Sequence, residues 1–400
     1  QAEGYYPVNN SVQGDKEWLY SQVNRNPLAG IYIHIPFCRQ ACHYCDFHFS
    51  TKLDKVQSMV DAICVEIPLR KNYLKNEPVE TLYFGGGTPS LLTKDQLTQI
   101  IENVKSNFAS QWAEVTLEAN PDDLTEAKLE DWKELGIDRL SLGIQSFHPE
   151  VLSFYNRLHT AEEAKSAISR ARKIGFEKFS IDLIYGFPWS DHSLWQADLQ
   201  EAISQNPGHI SAYALTVEDK TALGNWTRKG KFNPANEDFV AEQFEWMQQT
   251  LENAGYVQYE VSNFGKPGQF GLHNSNYWKG IPYLGIGPSA HSFDGISRGA
   301  NPASNPIYLR QIASGKSPFI AETLSKEESV NEYILTGLRT QWGISTTQIK
   351  AAWGVDLNLI KEKEIRDLIS QGWVIQRDNT LTLTKRGLLL ADSISAMLFI

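Results

Sequence analysis

Cysteine is scarce in this chain, and the few cysteines present are unevenly placed. Three of the four, Cys38, Cys42 and Cys45, fall within eight positions, while Cys64 stands apart. Such a small and clustered set excludes a disulfide-stabilised scaffold and favours metal or redox chemistry in a reducing compartment. Cys64 shares a helical stripe with the apolar residues between 56 and 67, so we expect it to be a small buried hydrophobe.

Long apolar runs and an excess of positive charge are also missing. No stretch of eighteen apolar residues occurs, and the opening segment has neither the basic start nor the apolar stretch of a signal peptide, so we expect a soluble cytoplasmic protein. The chain has 37 basic and 47 acidic side chains, and its net charge of -10 argues against nucleic acid as a partner. We treat residues 1–28, which are polar and rich in asparagine, as an uninformative N-terminal extension.

Short β-rich runs alternate with amphipathic segments between residues 29 and 265, a pattern typical of parallel β/α units. The predicted strands are 31–35, 81–85, 114–118, 139–144, 179–184 and 210–215. The predicted helices lie near 54–74, 93–107, 125–135, 161–174, 193–205 and 236–254. Six units are two short of a closed eight-unit barrel, so we expect an α/β fold with an open, partial (β/α)6 barrel of TIM type. A doubly wound sheet is the alternative that the pattern leaves open.

Two further segments follow the predicted barrel. Residues 266–322 are rich in Gly, Pro, Asn and aromatics, which predicts an irregular connector. Residues 323–400 combine helical segments with two short strands about Asp378 and Asn379, which predicts a smaller C-terminal α+β domain of winged-helix type. This segment has nine basic and nine acidic side chains, so a packing or lid role is favoured over DNA binding.

The cysteine-rich segment HIPFCRQACHYCD (34–46) follows the first predicted strand and spaces its thiols as C-x3-C-x2-C. Two metal centres are compatible with this spacing. One is a zinc ion with His43 or His48 as the fourth ligand. The other is a 4Fe-4S cluster, which normally takes four thiolates, so three would leave one iron open. The spacing alone does not separate the two.

Other polar and glycine-rich segments lie at the ends of later predicted strands, namely 85–89, 118–121, 143–147 and the strand that carries Asp182. The carboxyl ends of barrel strands open onto one face, so we expect these segments and the cysteines to form a single site.

These segments resemble the radical S-adenosylmethionine superfamily, in which a C-x3-C-x2-C loop holds a 4Fe-4S cluster whose fourth iron binds the cofactor. More narrowly, YIHIPFC, FGGGTP, LEANP, GIQSF and IDLIYGFP, in this order, resemble the oxygen-independent coproporphyrinogen III oxidase group and its relatives, the bacterial heme chaperones. The resemblance covers most of residues 31–290. It implies that S-adenosylmethionine contacts Tyr32, Gly86, Gly87, Thr88, Glu118, Gln145, Arg157 and Asp182.

Two features bear on which branch the chain resembles. The oxidase has a further cysteine two places after the third, whereas here Cys45 is followed by Asp46 and Phe47. The segment HNSNYW (273–278) matches the HNxxYW motif of the chaperone branch, which makes His273, Tyr277 and Trp278 candidates for contacting heme. Further candidate histidines are His34, His43, His48, His148, His159 and His291.

The resemblance implies a heme chaperone that carries a 4Fe-4S cluster and S-adenosylmethionine and delivers heme, its cargo, to an apo-hemoprotein of the respiratory chain. No catalytic residue is assigned. The alternatives are an oxygen-independent coproporphyrinogen III oxidase and, from another class, a zinc-stabilised binding module. The resemblance is also compatible with a homodimer and with transient membrane association.

Overall fold

A computed structural model describes residues 28–400, so the predicted extension at 1–28 lies outside the described residues except for its last position. The strands are β1 (Ala29–Ile35), β2 (Val79–Gly86), β3 (Ser110–Ala119), β4 (Arg139–Gln145), β5 (Lys178–Tyr185), β6 (His209–Ala214), β7 (Val257–Glu260), β8 (Asn263–Gly265), β9 (Tyr283–Ile286), β10 (His291–Phe293), β11 (Ser297–Ala300), β12 (Ile320–Thr323), β13 (Ile344–Ser345), β14 (Val374–Arg377) and β15 (Thr380–Leu383).

The helices are α1 (Val56–Leu69), α2 (Lys94–Asn107), α3 (Glu126–Glu134), α4 (Pro149–Phe154), α5 (Ala161–Ile174), α6 (Ser193–Ser204), α7 (Ala222–Arg228), α8 (Glu237–Asn253), α9 (Leu272–Trp278), α10 (Asn305–Ala313), α11 (Lys326–Leu338), α12 (Thr346–Trp353), α13 (Leu357–Ile360), α14 (Glu362–Ser370), α15 (Lys385–Leu388) and α16 (Ala391–Leu398). Short 3-10 turns lie at Leu53–Lys55, Pro89–Leu91 and Pro121–Asp123.

One large sheet organises the chain. Strands β1 to β6 lie side by side in chain order, each parallel to the next, as the sequence predicts. The sheet continues past β6 through antiparallel β8 and β7, and past β1 through β9, β10, β11 and β12. Over residues 28–400 its two end strands, β12 and β7, are not paired with each other, so the barrel stays open. The α/β fold with a partial barrel is thereby confirmed.

The alternation of residues along the strands separates an outer core from a polar interior. In β1, Ile31, Ile33 and Ile35 are fully buried and belong to the main apolar core. Tyr32 and His34 point to the other face, because successive side chains of a strand project to opposite sides. The same alternation puts polar residues of the next strands inside the barrel, so its interior can hold charge and its outside can hold the helices.

The segment 266–322 is more regular than its composition predicts. It contains α9, a strand β9 that runs parallel to β1, and the antiparallel strands β10 to β12 that extend the main sheet. Its glycines serve tight turns between short strands: Gly287 and Gly295 have φ angles of 100° and 93°, which favour glycine. The segment is therefore built largely from regular elements, where its composition predicts an irregular connector.

The C-terminal part has its own apolar core and its own sheet. Strands β13, β15 and β14 form that sheet, and helices α11 to α16 surround it, in agreement with the predicted α+β arrangement. It joins the barrel through Arg339, whose guanidinium lies 3.0 Å from the buried carboxylate of Glu260. None of the helices between residues 28 and 400 combines the length and the apolar character needed to cross a bilayer.

Candidate functional site

The cysteine loop leaves the carboxyl end of β1 and is closed at its base by backbone hydrogen bonds. The amide of Cys38 donates to the carbonyl of Ser50 at 3.1 Å, and the amide of Ser50 donates to the carbonyl of Pro36 at 2.9 Å. Cys38, Cys42 and Cys45 are free thiols and half-buried. Burial and, to a lesser extent, the neighbouring Cys42 raise the pKa of Cys38 to about 11 and that of Cys45 to about 12. The thiols therefore hold their protons until a metal replaces them.

The cysteines lie near each other without forming the ligand set of a single ion. Between residues 28 and 400, no group of three or more His, Cys, Asp or Glu side chains is arranged to hold one metal ion. The histidines considered as zinc ligands make other contacts: His43 Nδ1 lies 2.7 Å from the carbonyl of Phe154, and His48 Nε2 lies 2.7 Å from Asn305 Oδ1. Thiolates on an iron-sulfur cube bind different irons, so they stand further apart than ligands of one ion.

The end of α4 and the residues that follow it hold the cysteine loop through hydrogen bonds. The carbonyls of Phe154 and Tyr155 accept hydrogen bonds from the ring and the amide of His43, the latter at 3.3 Å. Asn156 donates from Nδ2 to the carbonyl of Ala41 at 2.7 Å. Its own backbone is left-handed, with a φ angle of 61°, and its backbone carbonyl accepts from Gln40 at 3.1 Å. The loop is thus shaped by protein contacts before any metal binds.

A chain of polar contacts links two of the cysteines through three other loops. The hydroxyl of Thr88 donates to Cys38 Sγ at 3.4 Å, and Asn120 Nδ2 donates to that hydroxyl at 3.4 Å. Arg157 Nη2 donates to Asn120 Oδ1 at 2.7 Å, and its Nη1 donates to Cys42 Sγ at 3.5 Å. The network brings the carboxyl ends of β1 to β4 together, as the sequence predicts.

Arg157 is suited to receive an anion. Its Nε is buried and has no hydrogen-bond partner among residues 28–400. Burial alone would lower the pKa of Arg157, but the neighbouring Tyr44 and Cys42 raise it, so the guanidinium stays charged. An unpaired N–H of a buried guanidinium beside a cysteine loop fits the carboxylate of an amino-acid ligand.

Two half-buried carboxylates inside the barrel, those of Glu118 and Asp182, are suited to a cation. Glu118 accepts from the Tyr83 hydroxyl at 2.8 Å and from the amide of Gly86 at 3.1 Å. Asp182 accepts from the hydroxyl of Ser141 at 2.8 Å. Burial, followed by the negative charge of Asp182, raises the pKa of Glu118 to about 7. Each is bonded to neutral donors rather than to a basic side chain, so an ammonium or sulfonium nearby would stabilise both.

Close packing within the protein requires the two glycines at the end of β2, Gly86 and Gly87. A β-carbon on Gly86 would lie 2.6 Å from the ring of His34, and one on Gly87 would lie 2.6 Å from the carbonyl of Phe37. Gly86 also has a φ angle of 108°, which other residues rarely adopt. The glycines therefore bring this turn against β1 and the cysteine loop. The amide of Gly86 reaches Glu118, while the amide of Gly87 donates to the carbonyl of Ile35 at 2.9 Å.

Gln145 closes the site over β4. Its backbone has a φ angle of 72°. The nitrogen of its side-chain amide, Nε2, lies over Gly143, where the pairing of β4 with β5 shifts register. The turn behind it is held by Asp198 of α6, which accepts from the hydroxyl of Ser146 at 2.5 Å and from the amide of Phe147 at 2.6 Å. Asp198 thus holds the backbone that directly follows Gln145.

The structure places the three residues predicted to contact heme in two different locations. His273, at the start of α9, stacks on Tyr83 with ring centroids 5.0 Å apart and on Tyr32 at 6.5 Å, and its Nδ1 lies 2.8 Å from the Thr81 hydroxyl. Burial lowers its pKa to about 4. Tyr277 is 45% exposed, and Trp278 packs beneath the guanidinium of Arg339 at 5.2 Å. His273 therefore lies inside the barrel, apart from the two aromatics.

A buried ion pair anchors α9 in the barrel. Glu114 accepts from the amides of Leu272 and His273, each at 3.0 Å, and from Arg139 Nε at 2.8 Å. Arg139 also donates to the carbonyl of Phe270 at 3.0 Å. The motif HNSNYW is thus attached to the amino-terminal parts of β3 and β4, at the end of the barrel opposite the cysteines.

Sequence analysis missed several residues that shape the site. Tyr83, Asn156 and Asp198 were assigned no role, although each contacts a predicted site residue, a predicted site segment or the cysteine loop. Asn120 belongs to the predicted segment 118–121, but its contact with Arg157 was not predicted. Tyr83 had a signal, because it alternates with Thr81 and Gly85 along one strand face. Asp198 had none, since a helix residue distant in sequence gives no hint of its partner.

Two protein-family models match this chain. A model of the radical SAM superfamily matches residues 32–198, and a model of the HemN C-terminal domain matches residues 324–390. The match thus pairs a radical SAM barrel with a HemN-type C-terminal domain.

The relatives narrow the class to a family. Over 371 residues the chain is 33% identical to the heme chaperone HemW of Bacillus subtilis (strain 168), covering 92% of this chain and 98% of that protein. It is 32% identical to the heme chaperone HemW of Escherichia coli (strain K12), covering 92% and 97%. The solved structure of coproporphyrinogen III oxidase (HemN) from Escherichia coli, a radical SAM enzyme, superposes with a TM-score of 0.80 at 22% identity, over 96% of this chain and 93% of that chain. The chain therefore belongs to the HemW family of radical SAM proteins.

Proposed function

We propose that this protein is a heme chaperone that carries a 4Fe-4S cluster and S-adenosylmethionine, binds heme and delivers it to an apo-hemoprotein, a respiratory one by resemblance. The observation that carries the proposal is the cysteine loop itself. It offers three thiols in a preformed loop, while the position that is a further cysteine in the oxidase is Phe47, whose side chain is 67% exposed.

The residues around the loop support the cofactor assignment. Cys38, Cys42 and Cys45 would hold the cluster, whose role when S-adenosylmethionine is bound is one-electron chemistry at the sulfonium. Arg157 would bind the carboxylate of the cofactor through its unpaired N–H, and Glu118 its ammonium group. The remaining predicted contacts, Tyr32, Gly86, Gly87, Thr88, Gln145 and Asp182, line the same interior or the same strand ends.

A side-by-side anaerobic assay tests the function. Reconstituted protein is incubated with S-adenosylmethionine and reductant, and then with either ferric heme or coproporphyrinogen III. We expect saturable heme binding, seen as a Soret band, and transfer of that heme to an added apo-cytochrome, with no protoporphyrinogen IX formed. Conversion of coproporphyrinogen III without heme binding would instead identify an oxidase.

A pair of cysteine variants tests the cofactor part of the proposal. Cys42→Ala removes one thiolate of the loop and should abolish the brown absorption of the reconstituted cluster. Cys64→Ala is the matched control, because Cys64 is buried in α1 and contacts the carbonyl of Gln99 rather than the loop. Equal iron and sulfide in both variants, or zinc in place of iron, would contradict the assignment.

A further inference from the structure

A face of the main sheet beside the open barrel carries an arrangement of side chains that the proposed site does not use. In the antiparallel pairs, Phe293 lies opposite Tyr283 and opposite Arg298, His291 lies opposite Ala300, and Ala300 lies opposite Ile320. Directly opposed residues of antiparallel strands, and alternate residues of one strand, share a face. One face of β9 to β12, here called the shelf, therefore consists of Tyr283, Gly285, His291, Phe293, Arg298, Ala300, Ile320 and Glu322.

The shelf continues the interior face of the barrel. Tyr283 pairs with Gly30 of β1, and a β-carbon on Gly30 would lie 3.2 Å from the ring of His273 inside the barrel. Tyr277 of the motif HNSNYW packs against Tyr283, with ring centroids 5.6 Å apart. The exposed part of that motif thus meets the shelf, whereas its histidine lies within the barrel.

His291 differs from every other histidine of the chain. All nine histidines lie in the described part of the chain, and His291 alone is exposed. Neither of its ring nitrogens has a hydrogen-bond partner between residues 28 and 400. Partial burial and the nearby Arg298 lower its pKa, so the ring is neutral at pH 7. A neutral and unpartnered imidazole is the form that ligates iron.

The surroundings of His291 match the chemistry of a flat macrocycle with two carboxylates. Ile320 is 65% exposed, and Tyr283 and Phe293 are half-buried, which gives an apolar surface on both sides of the imidazole. Four strands at about 4.8 Å spacing give a surface about 14 Å wide. The side chain of Arg298 is 42% exposed and pairs with two carboxylates, that of Glu322 at 2.9 Å and that of Glu332. A carboxylate of the ligand can exchange with either of them.

We infer that heme docks on the shelf, with the imidazole of His291 as an axial ligand of the iron, Tyr283 and Phe293 against the ring, and Arg298 on a propionate. The inference rests on the proposed function, since it names the heme site of a heme chaperone. It also gives Tyr277 a role, as part of the wall of the shelf. His273, stacked on Tyr83 and bonded to Thr81, lies inside the barrel instead.

Titration of ferric heme into the full-length reconstituted protein tests the inference. We expect His291→Ala to weaken heme binding by about tenfold or more, since a ligand of the iron is lost, and to shift the Soret band. Free imidazole added to His291→Gly should restore the wild-type spectrum. His192→Ala is the matched control, because this half-buried histidine pairs with Glu242 at 2.8 Å and is not part of the shelf; it should bind heme as the wild type does.

Iron-free protoporphyrin IX separates ligation from ring binding. His291→Ala should bind it as tightly as the wild type, because this ring offers no metal to the imidazole, while Arg298→Gln should weaken both porphyrins. If the wild type binds no heme, the proposed function fails and the inference with it. If the wild type binds heme and His291→Ala retains the same affinity and Soret band, only the inference is overturned.

Discussion

The buried pair of Glu114 and Arg139 gives the sharpest prediction about how the motif at 273–278 is held. The side chains are 4% and 6% exposed, and the carboxylate also accepts two amides of α9. Glu114→Ala leaves the Arg139 charge buried without its partner, and breaking such a pair costs about 3–5 kcal/mol. The two amides lose their acceptor as well, which adds to the cost. We therefore expect the free energy of unfolding to fall by at least this amount.

Urea denaturation of the purified apoprotein, followed by far-UV circular dichroism, measures the change. Glu102→Ala is the control, because Glu102 and Lys105 form an exposed pair on α2, with side chains 61% and 46% exposed, and such pairs contribute about 1 kcal/mol or less. Glu114→Gln, which keeps the size and an acceptor oxygen, should fall between the two. A Glu114→Ala protein as stable as the Glu102→Ala control would refute the view that this ion pair anchors α9 to the barrel.

Three further predictions concern the site. The folded-state pKa of Glu118 is about 7 against an ordinary value of 4.5, so the carboxyl group keeps its proton more readily in the folded protein. The apoprotein should therefore lose stability as the pH rises from 4.5 through 7. Glu118→Gln should remove this part of the loss in thermal unfolding scans. Identical pH profiles would count against the burial argument. Asn156→Gly keeps the left-handed backbone but removes the contact to Ala41, so this variant should lose iron faster than the wild type on anaerobic gel filtration. Asn156→Ala should lose iron faster still, because alanine adds strain at this backbone conformation. Full iron retention in both would show that the side chain does not hold the loop. Asp198→Asn should weaken S-adenosylmethionine binding about tenfold in calorimetry while iron content stays normal, and an unchanged affinity would mean that Gln145 does not depend on Asp198.

The repeating part of the fold was predictable because its physical signal is local. Six strands and their helices were found from apolar runs and from the capping residues Thr93 and Thr125, whose hydroxyls accept the expected N3 amides. The boundaries were less well predicted. The helix expected over 54–74 ends at Leu69, with Pro68 in its last turn. The prediction was too long because the apolar pattern continues to the buried Leu74, which lies in the turn that follows the helix. Strand β3 begins at Ser110, four residues before its buried part, which starts at Glu114.

The rest of the sheet and the site depend on contacts between distant residues. Strands β9 to β12 are three or four residues long, too short for a period of two to be distinguished from a loop rich in glycine. The cysteine spacing and the polar strand ends gave the location of the site. They did not give the network from Thr88 to Arg157, because its members are separated by 32 and 37 positions along the chain. The place of HNSNYW opposite the cysteines was likewise set by the partner of α9, Glu114.

The most direct test of the central claim is electron paramagnetic resonance of the dithionite-reduced, reconstituted protein, with and without S-adenosylmethionine carrying a nitrogen-15 label in its amino group. We expect about four irons and four sulfides per chain, a cluster signal that changes when the cofactor is added, and a nuclear coupling from the labelled nitrogen that Cys42→Ala abolishes. A signal indifferent to the cofactor, or a protein that holds zinc and no labile sulfide, would exclude a 4Fe-4S cluster that binds S-adenosylmethionine.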